Sequence, residues 1–429
     1  MAAVAPRRRS YTPTLQQVAL GERYIMSTVR PTTSALDGVN WAGLGIPFHP
    51  AIGITPGLEI VPYTRDWIGS VRQFNDRLLR GGLDAELQFP EEPSQQFSTR
   101  SSGTLHQEYH LAVEAETVRG AYLLTHERWI VGGQMRHVCH FRLPVSEGLV
   151  NRHYKGVGSS MLQHALQRNG LLYSLGMGGI DRPLPRMLSA RNWSLATTSF
   201  YFRCLQPSRV LQELVCLRTH PVLNFALDTG GWCGVGSFLI SGTQQLRMRR
   251  PAKHFEVTVV PDFADEAGDI IDAIQDQARG AYSLLPSRDA EILRLRYPAS
   301  DLRFLRLIID CGSGPCGWAV VLATSMQGHK QFGNLRVGTI VDCLAVPGDE
   351  DCVVHAASQF LEEQEVDLIV SNQSHRNWRR GFEHAGFFSG GSNYIFAASP
   401  ELSSFLKPFA GNFPASHVTR GNGAGPIHL

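Results

Sequence analysis

Residues 152–162 of this 429-residue chain carry its clearest chemistry: Arg152, His153, Tyr154 and Lys155 lead into Gly156, Val157, Gly158, Ser159 and Ser160, then Met161 and Leu162. The run before them, residues 136–145, reads as a strand. The run after them places Met161, Leu162, Ala165 and Leu166 on one helical face. A strand, a glycine turn and a helix start aim several unsatisfied backbone N–H groups at one point, where the helix dipole is positive. Such a point attracts phosphate. Glycine suits it because a Cβ would hold the anion away from the backbone. Residues 152–160 apart from Tyr154 are therefore the candidate anion site: backbone donors from Gly156 to Ser160, with Arg152, His153 and Lys155 beside them. A tight turn without a ligand is the plainer reading of the same glycines.

The rest of the composition narrows the field. Apolar residues make up 43% of the chain and Phe, Trp and Tyr 9%, enough for two or three domains with cores of their own. Net charge is +2, so no global field is available to DNA, and no track for tRNA is evident. Eight cysteines are scattered. The one close pair, Cys311 and Cys316, lacks the further ligands of a zinc site, so no metal is expected and the thiols read as free, in a cytoplasmic protein. No segment approaches the ~20 apolar residues of a membrane span.

The glycine loop, with its flanks, resembles the pyrophosphate loop of the GNAT acyl-CoA N-acyltransferase superfamily, written Q/R-x-x-G-x-G/A. His153 stands at the first position. Residues 58–78 resemble the first strand and helix of that family, residues 121–135 its central meander, and residues 171–179 its fifth strand. Residues 186–193 resemble its late helix, and residues 199–203 a closing strand. The pattern then recurs. Residues 255–271 repeat the strand-to-helix opening, 304–323 the hairpin, 337–346 the fourth strand and 366–372 the fifth. Trp378 to Phe387 resembles the family's ending in Ala-Gly-Phe. The expected fold is α/β: two tandem GNAT-like domains, each a mixed, mostly antiparallel central sheet flanked by helices.

The expected organisation is a mobile leader over 1–54, an N-terminal domain over 55–207, and a helical connector over 208–253. A C-terminal domain over 254–400 and a flexible tail over 401–429 complete it. The connector joins apolar helices to Arg247, Arg249, Arg250 and Lys253. It could touch an anionic membrane peripherally; packing between the domains is the favoured reading.

The copies differ. Where the second domain should carry its loop it has Pro347, Gly348, Asp349, Glu350 and Asp351, and three carboxylates repel a diphosphate. The resemblance therefore implies acetyl-CoA or another acyl-CoA held in the N-terminal domain, with transfer to an amine or amino-sugar acceptor. The base is expected near the end of the fourth strand, where Glu147 and His140 are the candidates, His140 sharing a strand face with Arg142. The tyrosine that often serves as general acid is missing between Tyr173 and Tyr201. Two other functions stay open: an aminoacyl-tRNA-dependent peptidyl transferase of the tandem-GNAT kind, and a non-catalytic pseudo-acyltransferase that binds a ligand or partner.

Overall fold

Residues 105–146 fold into three long antiparallel strands, the middle one buried on both faces, and they form the middle of the first sheet. The computed structural model describes residues 57–93, 105–214, 235–251 and 253–423. The strands are β1 (Leu58–Pro62), β2 (Leu105–Glu114), β3 (Thr117–Val131), β4 (Gln134–Ser146), β5 (Leu172–Leu175), β6 (Ser194–Thr197), β7 (Ser199–Cys204) and β8 (Glu256–Val260). The remainder are β9 (Leu284–Pro286), β10 (Leu305–Asp310), β11 (Pro315–Ser325), β12 (Arg336–Ala345), β13 (Leu368–Gln373), β14 (Phe388–Gly390) and β15 (Ile395–Ala398). The helices used below are α1 (Ile68–Arg80), α2 (Val157–Arg168), α3 (Pro183–Ser189), α4 (Pro207–Glu213) and α5 (Val235–Arg247). They continue with α6 (Asp265–Ala278), α7 (Ala290–Arg296), α8 (Glu350–Glu363) and α9 (Arg376–His384).

Two sheets result, ordered β1-β2-β3-β4-β5-β15-β6, with β9 on the far end of β3, and β14-β7-β13-β12-β11-β10-β8. Among the described strands only β4/β5 and β12/β13 pair in parallel. The chain is thus an α/β protein of two mixed, mostly antiparallel sheets flanked by helices. On the first sheet Val157, Met161 and Ala165 of α2 pack against Tyr122, Leu124 and Phe141. Gly120 in β3 makes this close approach feasible: a Cβ there would stand 2.7 Å from Val157 Cγ1.

The expected boundaries do not follow the sheets. β7, read as the closing strand of the first unit, pairs with β13 and β14 in the second sheet. In return β15 runs between β5 and β6 in the first sheet, and β9 pairs with β3. Backbone donors at a sheet edge must find partners, and each unit supplies the strand that closes the other. The stretch 401–423, expected to be flexible, is fastened: His417 and Val418 are fully buried, and Gln373 bridges to Thr419. The expected leader, residues 215–234 of the connector and the end of the tail lie outside the described residues. The described part of the connector packs on the second sheet, where Gln244 of α5 bonds the backbone N and O of Cys204 at 3.0 and 2.9 Å.

Cys311 and Cys316 form a disulfide, which corrects the expectation that all eight cysteines are free thiols. Among the described residues no helix is long and apolar enough to cross a membrane.

The exchange makes the units interdependent. Residues 55–253 expressed alone lack β9 and β15, and the expected outcome is loss of a cooperative thermal transition, read by circular dichroism. Mixing in residues 254–429 should restore it.

Candidate functional site

β4 and β5 run side by side over only two residue pairs, Cys139 with Leu172 and His140 with Tyr173. Beyond them the strands part. β4 also bulges against β3, because Leu123 pairs with Arg142 while Ala121 pairs with Val145. Leu143 in the bulge has φ of 43°, a conformation that costs a branched side chain about 1–3 kcal/mol. Bulges of this kind redirect side chains and end pairing. The result is a wedge between β4 and β5 with a cavity of about 610 Å³ on one side of it.

Alternate residues of three strands build the cavity wall, as strand geometry requires: Leu105, Gln107 and Tyr109 of β2, Leu123, Thr125 and Glu127 of β3, and His140 and Arg142 of β4. The opposite wall comes from the second unit, residues 296–304, and from Gly421, Asn422 and Gly423. Glu127 ties the walls together. It accepts from Trp129 Nε1 at 2.8 Å and Tyr173 Oη at 3.1 Å, and it pairs with Arg296 at 2.9 Å. Arg296 also donates to Gly421 O at 2.7 Å. Burial works against charge on Arg296, but Glu127 outweighs it, aided by Tyr173, Tyr297 and Asp342.

His140 stacks on Tyr173, ring centres 4.3 Å apart. Burial, then Arg142 and Arg296, push its pKa well below the usual imidazole value, so the ring is neutral. Burial likewise lowers the pKa of Arg142. Tyr394, far away in sequence, lies against the end of β5, where a Cβ on Gly176 would stand 3.2 Å from its ring. Its pKa is raised to about 12 by burial, which keeps the hydroxyl protonated, and it donates to Arg420 O at 3.1 Å.

The glycine loop leads into the N-terminus of α2. Asn151 Oδ1 accepts from His153 N at 3.0 Å and shapes the turn. Gly156 is the N-cap residue, without a side-chain cap, so the amides of Val157, Gly158 and Ser159 have no intrahelical acceptor. Ser160 N already bonds Gly156 O at 3.0 Å and is not free for a ligand. Arg152, His153 and Lys155 are exposed around this end. A Cβ on Gly158 would lie 3.4 Å from Met187 Sδ and 3.9 Å from Ser146 Oγ, facing the end of β4.

Glu147 is placed differently from His140. It pairs with Arg119 at 3.0 Å and Arg77 at 3.4 Å, does not line the cavity, and clamps α1 and β3 to the turn after β4. Arg119 in turn lies over the Tyr154 ring, 4.3 Å from its centre. The structure thus brings His140 and Arg142 into the cavity and sets Glu147 in a clamp behind the loop.

Ligand-type atoms also gather elsewhere. His126, His137 and Cys139 form one set within 4.8 Å, and His106, Glu108 and His126 another. Their hydrogen-bonding capacity is partly taken up: Asn169 Nδ2 bonds His137 Nδ1 at 3.0 Å and Cys139 Sγ at 3.1 Å, and Arg168 holds Glu108 at 2.7 Å. In a third set, Cys311, Cys316 and Cys352, two sulfurs are joined in the disulfide.

Glu127, Arg296 and Tyr394 were missed in sequence. A carboxylate amid the apolar run of β3 was the one available signal; Arg296 and Tyr394 had none, because only tertiary packing delivers them.

No family model matches the chain, and no curated protein does. Solved structures that resemble it include Saccharomyces cerevisiae N-myristoyltransferase with bound myristoyl-CoA, at 9% identity over 81% of this chain and 83% of that one, TM-score 0.47. A conserved Enterococcus faecalis protein described as a probable N-acyltransferase matches at 12% identity over 81% and 74%, TM-score 0.46. A GCN5-related N-acetyltransferase from Anabaena variabilis matches at 11% over 79% and 72%, TM-score 0.45. The strand order and register above, not these scores, define the fold.

Two outcomes are expected. Glu147→Ala should lower unfolding stability by about 2–4 kcal/mol in denaturant titration, since it strands two arginines. It should leave ligand affinity within a factor of about two. Acid should also destabilise the fold. Burial, reinforced by neighbouring arginines, drives the pKa values of His140 and His417 well below the usual imidazole value, and that of His375 to about 4. The unfolded chain therefore takes up these protons first, so their contribution is intact above about 6.5 and is lost as pH falls below it. His355, raised because Asp351 outweighs its burial, opposes this in part. Denaturation midpoints should fall steadily from pH of about 7 to about 5.

Proposed function

We propose that the chain is an acyl-CoA-dependent N-acyltransferase, with the cofactor in the first unit and an amine acceptor in the cavity. The observation that carries this reading is the early parting of β4 and β5 beside a bulge, between an uncapped helix N-terminus and a polar cavity. In the second unit β12 and β13 stay paired over four positions. The tail crosses beyond them: Thr419 Oγ1 donates to Asp342 Oδ1 at 2.8 Å, and Arg288 bonds Asp342 at 2.9 Å and Asn422 at 2.9 Å. The second wedge is thus occupied by the chain itself, which favours the first for a cofactor.

In this reading the Val157, Gly158 and Ser159 amides hold the coenzyme diphosphate, with Arg152, His153 and Lys155 as outer charges. The thioester lies in the wedge. The acceptor nitrogen attacks the thioester carbonyl, a C–N bond forms, and the C–S bond breaks. Neutral His140 accepts the proton that the nitrogen sheds, and the departing thiolate takes its proton from water. The second unit contributes the acceptor wall through residues 296–304.

Calorimetric titration of acetyl-CoA, and then longer acyl-CoAs, tests this, with Gly158→Asp as the control. An aspartate in the first helical turn favours the helix dipole, so the fold should keep its melting temperature. The same charge opposes a diphosphate and should weaken micromolar binding by about tenfold or more. Absence of binding by every acyl-CoA would overturn the reading and leave the tRNA-dependent and non-catalytic functions.

A further inference from the structure

Three arginines reach the cavity: Arg142 from β4, Arg296 at the end of α7, and Arg303 on the following loop. Two of them have their anion inside the protein. Arg296 holds Glu127 at 2.9 Å, and Arg303 holds Asp301 through contacts of 2.7 and 3.0 Å. Arg142 has no hydrogen-bond or ion-pair partner among the described residues, and its Nε is shut away from solvent. Three guanidinium groups against the carboxylates of Glu127 and Asp301 leave one positive charge on the cavity wall. His140 does not alter that balance, because it is neutral.

A charge withdrawn from water without a partner is costly. Arg142 is half-buried with its Nε enclosed, and among the described residues no hydrogen-bond or ion-pair partner answers its charge. A guanidinium presents a planar fork that matches carboxylate or phosphate oxygens. The cavity, at about 610 Å³, is in the usual range for a small-molecule site. Taking the cavity as the acceptor site of the proposed acyltransferase, we infer that the acceptor carries a carboxylate or phosphate, which Arg142 engages while the amine faces His140. Positions two apart on a strand are separated by about 6–7 Å. That spacing suits an amine and an anion several bonds apart, as in an ω-amino acid or an amino-sugar phosphate, better than an α-amino acid.

The test uses the full chain and matched amines: 5-aminopentanoate against its amide, and glucosamine 6-phosphate against glucosamine. Affinities are measured by calorimetry for the native protein, Arg142→Gln, Arg142→Lys and Arg303→Gln, with acetyl-CoA titrated in parallel. At least one anionic member should bind about tenfold or more tightly than its neutral partner. Arg142→Gln should erase that preference, Arg142→Lys keep part of it, and Arg303→Gln, which frees the Asp301 carboxylate on the cavity wall, weaken it less than Arg142→Gln does. Which pair discriminates separates carboxylate from phosphate. Arg142→Gln should also keep or raise the melting temperature, because it removes an unpaired charge.

Equal affinities within both pairs, no binding by any member, or a preference that survives Arg142→Gln overturns the inference. So does a marked fall in melting temperature for Arg142→Gln, which would give Arg142 a structural role. Discrimination without acetyl-CoA binding would overturn the acyltransferase reading and leave the anion site standing. Acetyl-CoA binding without discrimination would do the reverse.

Discussion

Glu127 and Arg296, 2.9 Å apart and nearly enclosed, join the two units at the floor of the cavity. Breaking a buried pair by removing one partner typically costs about 3–5 kcal/mol, since the survivor is left charged and dry. The pair survives burial because its remaining capacity is filled. Trp129 and Tyr173 donate to the carboxylate, and the guanidinium reaches the Gly421 carbonyl. Sheet, opposite wall and tail meet at these two side chains, so the shape of the cavity depends on them.

The exchange of strands enforces the same arrangement on a larger scale. β7 completes the second sheet and β15 the first, so hydrogen-bonded edges, and not only side-chain packing, hold the units in register. A cavity between freely moving domains would change volume as they moved. Here the β2, β3 and β4 face and the 296–304 segment are fixed relative to one another by backbone pairing that neither unit can satisfy alone.

The repeat has diverged in a physically consistent way. In the first unit β4 and β5 part after two pairs, and the α2 amides stay uncapped. In the second unit the corresponding space holds Asp342, Arg288, Thr419 and Asn422 in a closed hydrogen-bond network. One wedge is open and polar at its mouth; the other is filled and satisfied. Burying unpaired polar groups is expensive, so a wedge without a ligand has to be filled by something, and the tail fills it.

Much of this was legible in the residues. The run over 136–145 marked β4, the glycines of 156–158 marked the start of α2, and the recurrence of strand patterns marked two units. The shared face of His140 and Arg142 followed from their spacing by two. The domain edges did not follow, because a strand's sequence records that it needs partners without recording which strand supplies them. Glu147 illustrates the limit at the site: its position near the end of β4 was readable, but Arg77 and Arg119, which claim it, come from elements folded against it. Arg142 marks the opposite case, a charge that no ion-pair partner among the described residues answers. Local sequence determines backbone periodicity, turns and which residues share a face, since those depend on neighbours along the chain. Tertiary structure alone decided which side chain claims Glu127 or Glu147 and which arginine faces an open cavity, because those depend on groups that different elements bring together.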